Sequence, residues 1–212
     1  MNQITFGNYK SYDDLFLICT GKTIGSPAVK TATVDIEGGD GVLDYTEYFG
    51  DVKYKNRKLK FDFESIVPQA QFPELYSAIL NALNGQKMKI VLDEDADFYY
   101  IGRLDISDFT NKKGIGSINI DCDCEPYKYK QNKTVVSQSV DGSADITLSN
   151  MRKRAVPTIT TDATMTFIFG GRTIRQNAGT FVIPTLELVE GDNIVTVEGT
   201  GNVSFTYQEG GL

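Results

Sequence analysis

The chain has 212 residues, 41% of them hydrophobic, a formal net charge of −7 and no histidine. That length holds one large or two small domains, and the acidic balance argues against nucleic-acid binding driven by phosphate contacts. The missing imidazole removes the commonest general base, the commonest metal ligand and every triad that needs His.

In chain order, Ile4–Tyr9 reads as a first strand meeting a Gly-Asn, and Leu15–Thr20 as a second apolar run closed by Gly21. Thr20–Pro27, with its Gly, Ser and Pro, reads as a loop. Val29–Ile36 is a short apolar, Thr-rich run; Glu37-Gly38-Gly39-Asp40-Gly41 is a sharp acidic turn, and an acidic, aromatic segment, Val42–Asp51, follows. From Lys58 to Val67 the pattern alternates: Leu59, Phe61, Phe63, Ser65 and Val67 share one face of a strand, and Lys58, Lys60, Asp62 and Glu64 the other. Gln69–Gly85 predicts a helix. Phe72, Leu75, Tyr76, Ile79, Leu80 and Leu83 form one apolar stripe, Pro73 and Glu74 suit the first turn, and Asn84-Gly85 is a stop.

Lys87–Leu92 and Phe98–Phe109 read as strands around the acidic loop Asp93–Asp97; Asn111–Gly116 is a turn, and Ile118–Cys124 alternates until Glu125-Pro126-Tyr127 ends it. The polar stretch Lys128–Gly142 has little to bury and marks a domain boundary, with a linker over 131–142 between a first domain, 1–130, and a second, 143–212. Beyond it, Ala144–Leu148 and Val156–Thr160 are strands, and Gly170-Gly171 joins a hairpin. Pro184 makes Thr180–Leu188 an edge strand or breaks it, and Glu190–Asn193 and Gly199–Asn202 are turns beside Ile194–Val197 and Val203–Tyr207. The whole reads as mainly β, with one packed helix in the first domain and a small antiparallel sandwich in the second.

Chemistry-bearing constellations are scarce. Cys19, Cys122 and Cys124 are odd in number and lack zinc spacing, so reduced thiols are expected. The 93–97 loop lacks the ligand spacing of an EF-hand, and the 37–41 turn lacks the Lys and the following helix of a phosphate loop. Met151–Arg154 is a short basic cluster that reads as a solvated turn. Arg103, beside Gly102 and after Tyr99-Tyr100, is a residue type enriched at protein interfaces. No catalytic, cofactor or metal residues are assigned. The opening Met-Asn-Gln-Ile-Thr shows no signal-peptide pattern, and no apolar run is long enough to insert in a membrane.

Five segments of the first domain, in order, resemble the distal tail protein (Dit) family of siphophage-type tails. They are Val34-Asp35-Ile36 ahead of Gly38–Glu47, then Tyr54–Leu59, Asn84–Lys87, Tyr99–Arg103 and Cys124–Lys128. Glu37 stands where the family has Pro, and Asn84 where it has His. In the second domain Val156–Ile159 and Glu190–Val197 resemble the family's galectin-like module more loosely. The resemblance implies a tail-tube-like first domain in a β-sandwich or barrel form, a galectin-like second domain, and no enzymatic activity. It also implies a homo-hexameric ring at the virion tail tip, contacting the tail tube protein, a tail-associated tip protein and receptor-binding or other baseplate proteins. DNA would pass through the lumen without being stably bound. Carried over by motif, the interface residues would be Asp35, Gly38, Asp40, Gly41, Asp44, Arg57, Gly102, Arg103, Glu125 and Tyr127.

Two other readings compete. A carbohydrate-binding module would usually stack a sugar on an aromatic ring, but there is no Trp, and several of Phe167, Phe169, Phe181, Phe205 and Tyr207 alternate into the predicted core. A wall hydrolase would have to work with a carboxylate pair alone, which the sequence does not bring face to face.

Overall fold

The computed structural model describes residues 3–48 and 50–212, and its fold is mainly β with one α-helix among those residues. The chain divides into two compact units, Met1–Pro126 and Tyr127–Leu212.

In the first unit the strands are β1 (Ile4–Phe6), β2 (Tyr9–Lys10), β3 (Leu17–Ile24), β4 (Thr33–Asp35), β5 (Val42–Asp44) and β6 (Arg57–Ser65). After helix α1 (Phe72–Leu83) come β7 (Lys87–Leu92), β8 (Phe98–Ile106), β9 (Thr110–Lys112) and β10 (Ile115–Cys124). The main sheet is antiparallel with the order β2-β1-β7-β8-β10-β6-β3. It coils strongly. Three strands separate β1 from β6, yet the Phe6 ring meets Phe61 and Phe63 edge-on at 5.8 and 6.2 Å. The alternating run carries this core: Leu59, Phe61 and Phe63 are fully buried, while Lys58, Lys60, Asp62 and Glu64 face water. Burying one such side chain contributes about 1.5–3 kcal/mol, so this face alone decides the register of β6.

The helix closes the same core with Ile79 and Leu83, while Phe72 is buried beside the Phe109 ring, 5.2 Å away. Pro73 sits in its first turn, where its missing N–H leaves no bond unmade. Asn84 turns extended and Gly85 takes φ 71°, ending the helix where the stop is expected. Asn84 Oδ1 then accepts the Ile106 N–H at 3.2 Å, tying the helix end to β8. Cys122 and Cys124 are buried thiols; burial pushes Cys124 up to about 12 and Cys122 higher still, so neither forms a thiolate near neutrality.

Three local expectations change here. Ile4–Tyr9 is not one strand: Gly7 takes φ 60° and turns β1 back into β2. Thr20–Pro27 is not all loop, because β3 continues through it to Ile24 with a bulge between Cys19 and Gly21. A Cβ at Gly21 would lie 2.6 Å from Asp62 Oδ2, so the glycine marks a close strand approach rather than a stop. Asn111–Gly116 narrows to a hairpin joining β9 to β10.

The second unit holds β11 (Lys128–Lys130), β12 (Thr134–Asn150), β13 (Thr158–Thr161), β14 (Met165–Phe169), β15 (Arg172–Gln176), β16 (Gly179–Val182), β17 (Gly191–Tyr207) and β18 (Gly210–Gly211). Its sheet runs β15-β14-β17-β13-β16, with β12 paired to β17 over all 17 residues of each. On its other side β17 pairs first with β14 and then with β13, and the change of partner falls at Gly199–Asn202. There the expected turn is absent and the strand runs on. Gly199 and Gly201 adopt φ 142° and 151°, and a Cβ at Gly201 would lie 2.4 Å from Asp162 Oδ1. The two glycines bend one sheet back over itself, so Phe167 on β14 meets Phe205 on the far half of β17 at 6.2 Å.

Residues 134–142, read as linker, are also strand. Ser137, Ser139 and Asp141 lie on the outer face, while Val136 and Val140 pack inward against Phe205 and its neighbours. The strand β16 is a sheet edge and ends before Pro184, so both halves of that expectation describe it. A buried Glu209 accepts from Lys130 Nζ at 2.5 Å and from the Thr134 hydroxyl, closing the C-terminal tail onto β11.

Candidate functional site

The described residues of 29–54 belong to neither core cluster and form an arm. Its base is pinned by the Val29–Tyr54 bridge and by backbone bonds from Lys30 N to Lys53 O (2.8 Å) and Lys55 N to Ala28 O (2.7 Å). Beyond the base, β4 and β5 pair as a separate two-stranded ribbon: Thr33 opposite Asp44, Val34 opposite Leu43, Asp35 opposite Val42. The tip turns through Gly38 at φ 75° and Gly41 at φ 79°, with Gly39 N bonded to Ile36 O at 3.1 Å. After β5, Asp44 Oδ1 accepts the Thr46 N–H at 2.8 Å, and the Thr46 hydroxyl accepts the Ala32 N–H at 3.1 Å. The Thr46 hydroxyl and N–H hold the Asp44 carboxyl below its ordinary value. Tyr45 and Tyr48 contact edge-on, 6.1 Å apart. Phe49, within the aromatic segment, lies outside the described residues.

Every residue of both strands is exposed. Val34, Ile36, Val42, Leu43, Tyr45 and Tyr48 are each 40% or more accessible, reaching 73% at Tyr48. Val34 and Leu43 share one face of the ribbon, while Thr33, Asp35, Val42 and Asp44 share the other, so the ribbon has one apolar face and one mainly polar face. A lone two-stranded ribbon is marginal in water, and an exposed apolar face on one is the kind of patch that marks an interaction surface.

The motif-carried residues divide between this arm and the body of the unit. Asp35, Gly38, Asp40, Gly41 and Asp44 lie together on the arm, the first four at or beside its tip. Arg57 is only 6% accessible. Its Nε donates to Gly25 O at 2.8 Å, its guanidinium lies 5.3 Å from the centre of the Tyr100 ring, and Nη1 has no hydrogen-bond partner among the described residues. Gly102 lies under Cys124, where a Cβ would stand 2.4 Å from Sγ. Arg103 Nη1 donates to Gly85 O at 2.5 Å, a bond that serves the helix terminus. Glu125 accepts from Lys87 Nζ at 2.8 Å, and Tyr127 is half-buried at the start of the second unit. The residues that motif reading passes over are the exposed apolar ones of the arm. Their signal is an apolar run and an aromatic run flanking a glycine turn, in a segment whose described residues are absent from the core.

No family model matches the sequence, and no curated protein matches it. Among solved structures, the chain is similar to the crystal structure of the SPP1 Dit protein, described as a paradigm of the hub adsorption apparatus in phages that infect Gram-positive bacteria. The TM-score is 0.72 at 13% identity, over 98% of this chain and 99% of that one. The two chains therefore share a fold along their whole length.

Proposed function

We propose that this protein is a non-enzymatic structural subunit of a phage tail tip, a hub of the distal tail type. The fold shared from end to end with SPP1 Dit supports the class of role. The exposed apolar face of the arm, Val34 and Leu43 with Ile36, Tyr45 and Tyr48 nearby in sequence, is the observation that carries the assembly reading. In this reading six copies close a ring at the virion tail tip. The first unit continues the tail tube, between the tube protein above and the tail-associated tip protein below. The second, galectin-like unit faces receptor-binding or other baseplate proteins, and the lumen passes the genome without holding it.

A receiving surface lies next to the arm in sequence. The strand β3 is an edge of the main sheet, with Phe16 and Ile18 exposed at its start. Phe16 is also held at φ 54°, a conformation costly for a bulky residue, with its carbonyl accepting the Ile66 N–H. An arm laid along a neighbour's β3 edge covers apolar side chains and unpaired backbone groups together and leaves a closed ring no free edge there.

Native mass spectrometry tests this. The wild type is expected at six times the 23.4 kDa chain mass, alone or with the tube and tip proteins added. The Leu43→Ser/Tyr48→Ser double variant is expected as a folded monomer under the same conditions. A wild type that stays monomeric with both partners present overturns the ring, and a double variant that still closes removes the arm from the interface.

A further inference from the structure

The outer face of the second unit carries a ladder of hydroxyls across four adjacent strands, β12, β17, β13 and β16. Ser137 stands opposite Ser204, Ser204 opposite Thr160, and Thr160 opposite Thr180. Ser137 Oγ donates to Ser204 Oγ at 2.9 Å, and the Thr160 and Thr180 hydroxyls share a hydrogen bond at 3.0 Å. One row along, the Asp162 carboxylate accepts from Asn202 N at 2.7 Å and from Asn202 Nδ2 at 2.8 Å. The positions between these, Val203, Phe205 and Ile159, point into the core, so the polar rows face water by the period of the strand.

The bend at Gly199–Gly201 hollows this face into an open cavity of about 410 Å³. Its lining has hydroxyl, amide and carboxylate groups but no aromatic ring and no Lys or Arg. Each of these facts narrows the ligand. The Asp162 charge disfavours anions, the absence of a ring disfavours flat apolar molecules, and the absence of a cation leaves acidic peptides without a partner. Hydroxyls on strands spaced about 4.8 Å apart offer alternating donors and acceptors to a ligand that is itself rich in both. We propose that this hollow is a binding site for a neutral saccharide chain, held by Ser137, Thr160, Ser204 and Asp162 through hydrogen bonds without ring stacking. Single-site affinity is weak, on the order of millimolar, because each such bond replaces one to water.

Saturation-transfer NMR on the full chain tests it, with cellotetraose, maltotetraose and chitotetraose as neutral probes and trigalacturonic acid as the charged control. Transfer to at least one neutral probe and none to the acid is the expected result. The Thr160→Val/Ser204→Val variant keeps strand-forming residues and is expected to bind about tenfold more weakly. Thr158→Val/Thr206→Val, one row away and outside the cavity lining, is expected to bind as the wild type does. Transfer to none of the neutral probes overturns the site, as does equal transfer to the acid or undiminished transfer to the Thr160/Ser204 variant. Neither variant touches the arm, so assembly mass is unchanged whichever way binding falls.

Discussion

Two antiparallel ribbons in this protein meet opposite fates. The pair β12–β17 is 17 residues long on each side and alternates between buried and exposed, with Val195, Val197, Val203, Phe205 and Tyr207 inside. The pair β4–β5 is three residues long on each side and exposed at every position, although Val34, Val42 and Leu43 are as apolar as anything in β17. Backbone pairing is the same in both. What differs is whether the apolar face finds a partner within its own unit. A ribbon that does belongs to the fold; one that does not is, in the function proposed above, stabilised by assembly.

The largest break in that contrast is at Phe205. Its ring is fully buried against Phe167, so Phe205→Ala is expected to cost about 3–5 kcal/mol in chemical denaturation, a large share of the stability of one small unit. A loss under about 1 kcal/mol would mean that the second core is loosely packed. No apolar-to-polar change on the arm is expected to approach that figure in the monomer, since surface substitutions stay within about 0.5 kcal/mol.

The glycines sharpen the comparison at a smaller scale. Gly201→Ala places a Cβ 2.4 Å from Asp162 Oδ1 and 2.8 Å from Ala163 Cβ at the bend of β17, and about 2 kcal/mol of global stability is expected to go. Gly41→Ala meets nothing within 4 Å and costs only the left-handed backbone, about 1 kcal/mol, confined to the arm. Amide exchange separates the two: the first speeds exchange throughout the second unit, the second only at residues 30–54.

The smallest effect is a titration. Hydrogen bonds in the folded arm hold the Asp44 carboxyl below its ordinary 3.8. A depressed carboxylate adds stability that is present above the unfolded value and disappears as pH falls through the folded one. The Thr46 amide resonance is therefore expected to titrate with a midpoint below 3.8, and Asp44→Asn to abolish the step. A midpoint at or above 3.8 would mean that the turn after β5 is not formed in solution.

How legible each part was follows the range of its cause. The alternating run at β6, the stripe of α1 and its Asn84-Gly85 stop were readable because period and capping are local. The continuous β12 and β17 were not. Gly142, Gly199 and Gly201 look like turn residues until the partner strand opposite them is known, since glycine serves a bend inside a long strand as well as a reversal. The motif-carried residues were mixed for the same reason. Asp35, Gly38, Asp40, Gly41 and Asp44 converge on one exposed arm, whereas Gly102 and Arg103 serve a buried thiol and a helix end, and Arg57 lies inside.

By itself the sequence determined the β-rich class, the position of one helix, the inward face of β6 and the lack of any imidazole chemistry, because each is written in residue type and near-neighbour spacing. Only the tertiary structure decided that an apolar ribbon stands away from its core, that the second sheet folds back at two glycines, and that hydroxyls far apart in sequence stand side by side. Those facts depend on which strands meet, and strand meeting is settled by burial over the whole chain rather than by any stretch of it.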